Sequence, residues 1–320
     1  MRTVSRRTFL ATTALAGVGT AVGAPVITTS HNASLDKQKD LEVHLFSKHL
    51  QFLDCNAMAA AAAQMGFAGV DLTVRPNGHV LPEKVAEELP LAVAAIKQAG
   101  LSNKLITTSI KTAAEPYTKS LLQTAANLGV EYYRLGYYKF TEGLTIPESL
   151  KRTQKEVRAL AKLNKSLGIK GAYQNHSGRQ VGAAIWDIHH LLEKVKNDHF
   201  GCQYDIRHAT VEGGESWPTG LRLIAPRINT IVLKDFRWEK IKGKWRVLNV
   251  PIGEGMVNFS AFFKWLKQQR INVPVSLHCE YDLGGAEHGS RDISISEKSV
   301  FAAMEKDLLE LQKLWSEAGA

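Results

Sequence analysis

From Leu41 onward the chain alternates two periodicities. Short apolar runs give way to longer stretches whose apolar positions recur every three to four residues. The first pattern predicts buried strands and the second amphipathic helices. Strands are predicted over residues 42–46, 69–74, 104–110, 130–137, 169–175, 201–206, 229–235 and 273–280. Helices are predicted over 53–65, 83–99, 117–128, 147–167, 182–196, 217–225, 259–269 and 296–315. Gly66, Gly100, Gly129 and Gly168 each follow a helical stretch, where a left-handed glycine closes the last turn. Pro116 and Pro147 sit near the first helical position, where the missing N–H costs nothing. Eight strand–helix pairs over roughly 280 residues are the count and spacing of an α/β fold of the (β/α)8 TIM barrel type. A doubly wound sheet is the competing architecture, but no GxGxxG follows the first strand. No internal repeat or long linker divides the chain, so residues 41–317 are predicted to form one barrel domain.

Composition refines this picture at the N-terminus. The 320 residues are 44% hydrophobic and 22% charged, as in ordinary globular proteins. The formal net charge of +9 is scattered, with no Lys/Arg run of five or more, so a solvated basic surface is expected and no nucleic-acid partner. Cys55, Cys202 and Cys279 show no CxxC spacing, and their odd number excludes full intrachain pairing. Residues 1–30 read as a targeting segment. Ser5-Arg6-Arg7-Thr8-Phe9-Leu10 is a twin-arginine pattern, followed by a mildly apolar, Ala/Gly-rich run to about residue 27. Small residues at 22–24 offer a cleavage site, although Pro25 follows and a later cut is also open. The expectation is export by the twin-arginine pathway to the periplasm, with no stable membrane anchor once the segment is removed.

In a parallel α/β fold, ligands bind where strands end at their C-terminal edge. The sixth predicted strand ends at Asp205, with His208 three residues on and Gly213-Gly214 allowing a loop. Alternation puts Ser276, His278 and Glu280 on one face of the last strand, and Asp71, Thr73 and Arg75 on one face of the second. Strand seven closes with Lys234 and Asp235, and strand five with Gln174, Asn175 and His176. With His79 and Arg134 these residues crowd one rim, which points to a polar small-molecule site. Each has a plainer reading: Asp205 capping a turn, Asp71 and Arg75 as an ion pair, Lys234 and Asp235 as a solvated strand end, His278 as a core histidine. Glu280 is harder to dismiss, because an acid at the end of an apolar strand is costly unless paired. His, Asp and Glu on neighbouring strands could hold a divalent ion (Mn, Co, Zn or Mg) able to polarise a carbonyl. Tyr137, Tyr138, Trp217, Phe236 and Trp238 could stack on a sugar face.

Five segments carry a family likeness: residues 69–76 (GVDLTVRP), 173–176 (YQNH), Asp205 with His208, 232–235 (VLKD) and 276–281 (SLHCEY). On these, the chain over about residues 41–315 resembles the xylose isomerase-like barrels, often called sugar phosphate isomerase/epimerases. The resemblance implies Asp205 and Glu280 as metal ligands, with His176 among the histidines able to complete the set and His208 contacting substrate. It also implies that Glu280 takes part in proton transfer. Two positions depart from the family pattern. Ala172 stands near the place of a strand-five Glu, and Val232 where strand seven carries a metal His. The expected function is an exported isomerase or epimerase of a carbohydrate, abstracting a proton beside the carbonyl with a divalent metal. Glu280, Lys234 and His208 would be catalytic, while Asp71, Arg75, Arg134, Asp235 and His278 would bind substrate. Alternatives are a 3-keto-glycoside lyase of the same barrel type and a non-catalytic sugar-binding barrel. A nucleic-acid endonuclease is the weakest option, since the His-rich trinuclear set of that branch is not visible. Everything rests on Asp205 and Glu280 converging at one cavity.

Overall fold

The computed structural model describes residues 41–196 and 198–319. The targeting segment proposed for residues 1–30 lies outside them. Among the described residues there are ten strands: β1 (Val43–Phe46), β2 (Gly69–Val74), β3 (Ser102–Thr108), β4 (Tyr132–Arg134), β5 (Lys170–Gln174), β6 (Phe200–Asp205), β7 (Ile228–Leu233), β8 (Asp235–Ile241), β9 (Lys244–Val250) and β10 (Val275–Leu277). Eight of them close a parallel barrel in the order β1-β10-β7-β6-β5-β4-β3-β2, and β8 and β9 form a separate antiparallel hairpin. The helices are α1 (Cys55–Gln64), α2 (Val85–Gln98), α3 (Thr118–Asn127), α4 (Ile146–Leu167), α5 (Ile185–Leu192), α6 (Ile206–Gly213), α7 (Trp217–Ile224), α8 (Phe259–Gln268) and α9 (Glu297–Glu317). Among the described residues no helix is long and apolar enough to cross a membrane.

Local chemistry fixes several boundaries. Thr145 and Glu148 form a reciprocal capping box at the start of α4, with Pro147 in its first turn. Gly66, Gly100, Gly129 and Gly168 all have φ between 73° and 88°, as the helix-closing reading requires. Pro116 does not open α3. Tyr117 takes a left-handed φ of 65° and the helix begins at Thr118. The layer between barrel and helices is mainly apolar. Phe262 of α8, for instance, is fully buried against Tyr204 and Trp217. Removing such a ring costs about 3–5 kcal/mol in lost transfer energy and cavity.

Inside the barrel the side chains are polar, which sets up the site above. Thr107 and Ser276 both donate to Asp71, at 2.9 and 2.8 Å, tying β3 and β10 to β2 across the lumen. A Cβ on Gly69 would lie 2.4 Å from the His44 ring, so only glycine lets that imidazole into the lumen floor.

Of the differences from the predicted elements, three bear on the site. The stretch after Asp205 is not a loop but α6, because the Asp205 carboxylate caps it by accepting the His208 amide. The last strand stops at Leu277 rather than 280. The Cys279 amide donates to Nε2 of His49 at 3.1 Å, and this breaks the ladder. The β8–β9 hairpin was not anticipated. Its two-residue turn, Lys242-Gly243, has positive φ at both positions (48° and 77°), the type I′ geometry that suits strand twist.

Candidate active site

The C-terminal rim gathers its polar side chains around one ammonium. Lys234, the residue after β7, is 2% exposed. Its Nζ donates to Glu280 Oε2 at 3.0 Å and stands 3.4 Å from Asp205 Oδ2. Lys48, in the single 3-10 turn Ser47–Leu50 after β1, reaches Glu280 Oε1 at 3.4 Å. The two carboxylates on which the functional reading depends therefore share the Lys234 ammonium, although neither lines the cavity of about 610 Å3 beside them. Asp205 is wholly buried and fully engaged. Its Oδ1 accepts the His208 amide at 3.0 Å, and its Oδ2 accepts Gln174 Nε2 at 2.8 Å. Asn175 locks the same residue by exchanging two hydrogen bonds with its backbone, at 2.8 and 2.9 Å. Glu280 keeps 22% of its side chain open, so it is the reachable carboxylate of the pair.

Burial and charge divide these groups. Burial works against ionising Glu280, but Lys234, then His278 and Lys48, outweigh it and hold the carboxyl well below the usual range. For Asp205 burial prevails over Lys234 and the His208 amide, and its pKa is raised. Asp71 is likewise raised by burial despite its two hydroxyl donors. The histidines are kept neutral chiefly by burial: His176 is lowered to about 4, His278 to about 3, and His208 well below the ordinary imidazole value. His278 stacks flat on Phe46 with ring centres 4.1 Å apart, and its Nδ1 faces Glu280 Oε1 at 3.5 Å.

The residues placed here do not fit a divalent ion. An ion between Asp205 and Glu280 would have to displace the Lys234 ammonium that touches both. Two carboxylates alone are too few, and of the two histidines beside them His278 keeps both ring nitrogens unpartnered while His208 is turned the wrong way. Arg207 Nη1, which can only donate, approaches His208 Nδ1 at 2.8 Å. Nδ1 must therefore accept, which puts the proton of the neutral ring on Nε2 and removes the lone pair a metal would need. Among the described residues no three His, Cys, Asp or Glu side chains are grouped to hold an ion.

The other expected residues fall into two sets. Arg134 joins the centre through Gln174: its Nη1 donates to Gln174 Oε1 at 3.0 Å and to the Tyr137 hydroxyl at 2.6 Å. His176 lies over His208, ring centres 3.9 Å apart, and near Tyr137 at 4.9 Å. Arg75 stands at the mouth, its guanidinium 5.7 Å from the Phe46 ring rather than in an ion pair with Asp71. His79 is turned aside, beside the Thr73 hydroxyl at 3.2 Å. Asp235 also points away from the rim. Its carboxylate accepts the amides of Phe236, Gly253, Gly255 and Val257 at 2.8–3.1 Å, which shapes the loop after β9.

Sequence reasoning passed over Lys48, Arg207, Ser177 and Asn249. Asn249 on β9 accepts from Arg207 Nη2 at 2.5 Å and donates to the Glu280 carbonyl at 3.1 Å, so the hairpin braces two site residues at once. No motif announces that link, because it depends on a strand pair inserted between β7 and β10. Lys48 was legible in principle, as the second residue after the first strand.

Known proteins agree with this architecture. A family model described as "Xylose isomerase-like TIM barrel" matches residues 59–295. No curated protein matches the sequence. Among solved structures, a 3-keto-D-glucoside 4-epimerase from E. coli is 13% identical with a TM-score of 0.62, covering 85% of this chain and 99% of its own. A D-psicose 3-epimerase with D-tagatose from Clostridium cellulolyticum H10 is 12% identical with a TM-score of 0.63, covering 86% and 99%. A xylose isomerase-like TIM barrel protein from Mycobacterium smegmatis in complex with magnesium is 12% identical with a TM-score of 0.61, covering 88% and 98%. At these identities the likeness is one of fold.

Proposed function

The chain belongs to the xylose isomerase-like TIM barrels, and from that premise we propose that it is a sugar isomerase or epimerase. In this reading Glu280 moves a proton on the carbon beside a sugar carbonyl. The observation that carries it is the Lys234–Glu280 contact at 3.0 Å, with Asp205 holding the far side of the same ammonium.

Paired with two cations, Glu280 is a weak base in the free protein. A carbonyl oxygen that draws the Lys234 ammonium onto itself would remove the largest attraction holding the Glu280 proton off. Basicity at Glu280 and charge stabilisation at the oxygen then rise together, when the enediolate forms. Such preorganised charge is worth about 10²–10³ in rate for a single donor, and a positioned base about 10²–10⁴. His208, with its proton on Nε2, faces Asp205 Oδ2 at 3.5 Å, and in this reading it would turn that N–H to a substrate hydroxyl. The related fold with magnesium supports a metal-assisted version, but the donor set favours Lys234 in that role. We place the reaction in the periplasm, on the strength of the twin-arginine pattern at Arg6-Arg7.

Solvent-deuterium exchange into a panel of ketoses, aldoses and 3-keto-glycosides tests the proposal. Exchange at the carbon beside the carbonyl without loss of an aglycone is expected. Exchange with aglycone loss would make the protein a lyase, and tight binding without exchange a sugar-binding barrel.

A further inference from the structure

Beside the proton-transfer centre, the barrel mouth holds two guanidiniums, Arg75 and Arg134, that form no ion pair with a carboxylate among the described residues. A cavity of about 610 Å3 opens over the ends of β2, β3 and β4, lined among others by Arg75, Thr108, Lys111, Arg134 and Tyr137. That is room for a monosaccharide carrying a substituent. Arg134 is only 7% exposed, and its Nε has no hydrogen-bond partner. Its Nη1 bonds two neutral groups, Tyr137 and Gln174. Arg75 is half-buried, its guanidinium 5.7 Å from the centre of the Phe46 ring.

No carboxylate among the described residues pairs with either guanidinium. Asp71, below them, already receives Thr107 and Ser276. Glu83 and Glu115 also line the cavity, and Oε2 of Glu115 accepts the amides of Lys111 and Thr112, at 2.8 and 3.3 Å. The two guanidiniums also repel each other, so folding alone gives no reason to place them together. An anion between them would relieve that repulsion with two-pronged hydrogen bonds.

We propose that this recess receives an anionic substituent of the substrate, a carboxylate or a phosphate, and that the sugar turned over is therefore an acidic one. The inference rests on the proton-transfer reading for its orientation. The anion sits at Arg75 and Arg134, and the Arg134–Gln174–Asp205 chain sets the carbonyl end against Lys234 and Glu280.

Calorimetric titration of the purified protein with D-glucuronate, D-glucose 6-phosphate and D-glucose tests it, because binding can be read without turnover. At least one acid should bind tenfold or more tighter than glucose, and the tighter of the two identifies carboxylate or phosphate. Arg75→Met should erase about tenfold of that preference. Arg75→Lys, which keeps charge but not the fork, should erase less. Glucose binding as tightly as both acids, failure of both acids to bind, or an acid preference untouched in Arg75→Met would overturn the proposal. An acid preference without any proton exchange would leave this site standing and remove the catalytic reading. Exchange into neutral sugars only would do the reverse.

Discussion

Arg207 donates to Nδ1 of His208 across 2.8 Å, and this one contact determines what His208 can do. A guanidinium has no lone pair to offer, so the imidazole must accept at Nδ1 and carry its proton on Nε2. Ser177 Oγ shares the same nitrogen at 2.8 Å, and Asn249 holds the other arm of Arg207. We predict that nitrogen NMR finds His208 as the Nε2–H tautomer at pH 7 and still neutral at pH 5. Arg207→Met should allow both tautomers. An Nδ1–H tautomer in the wild type would reopen His208 as a metal ligand.

Lys234 predicts the behaviour of metals. In the wild type the ammonium occupies the space between Asp205 and Glu280, and added Mn²⁺ should bind weakly if at all. Lys234→Met leaves two buried carboxylates facing each other without their shared cation, a defect of about 3–5 kcal/mol. That variant should melt lower, and Mn²⁺ should raise its melting temperature more than the wild type's. Tight Mn²⁺ binding by the wild type, lost in Lys234→Met, would contradict the assignment.

The acid limb of activity follows from Glu280. Its pKa is depressed, so the carboxylate is present above the ordinary range and is lost only when the pH falls well below it. The histidines around the site are already neutral, with His176 lowered to about 4 and His278 to about 3. The kcat/KM profile should therefore be flat from pH 7 to about pH 5. A limb centred between 6 and 7 would implicate an ordinary histidine instead.

Asp307, whose Oδ2 meets the Cys279 thiol at 3.5 Å, carries a stability prediction. Burial raises its pKa from 3.8 to about 6, although the Ile252 amide at 3.0 Å favours the ionised form. A raised folded-state pKa gives stability that is complete below the unfolded pKa and is lost as pH climbs through the folded one. The window is thus pH 4 to 6, and the loss is about 3 kcal/mol at 1.36 kcal/mol per unit. Asp307→Asn should remove that loss. Denaturant melts of both proteins at pH 4 and 7 would show it as a difference in the pH slope, and equal slopes would refute it.

The barrel was legible because each of its signals is local. Periodicity gave the strands, and Gly66, Gly100, Gly129 and Gly168 gave helix ends through their backbone freedom. The hairpin was hidden because β8 and β9 are largely exposed and carry Arg237, Glu239, Lys240, Lys244 and Arg246, so no buried face imposes alternation. Asp235 misled for a related reason. A charged residue at a strand end looks the same in sequence whether it faces a ligand or four loop amides. The pairing of Asp205 with Glu280 could be expected from their strand positions, but the ammonium between them could not. That contact depends on the length and direction of the Lys234 side chain, which periodicity does not encode.

The most direct test of the account is deuterium incorporation from D2O at the carbon beside a sugar carbonyl, measured for chelator-treated wild type and for Glu280→Gln. The account predicts exchange by the chelator-treated wild type and a loss of at least about a hundredfold in Glu280→Gln. Exchange at equal rates in both proteins would contradict it.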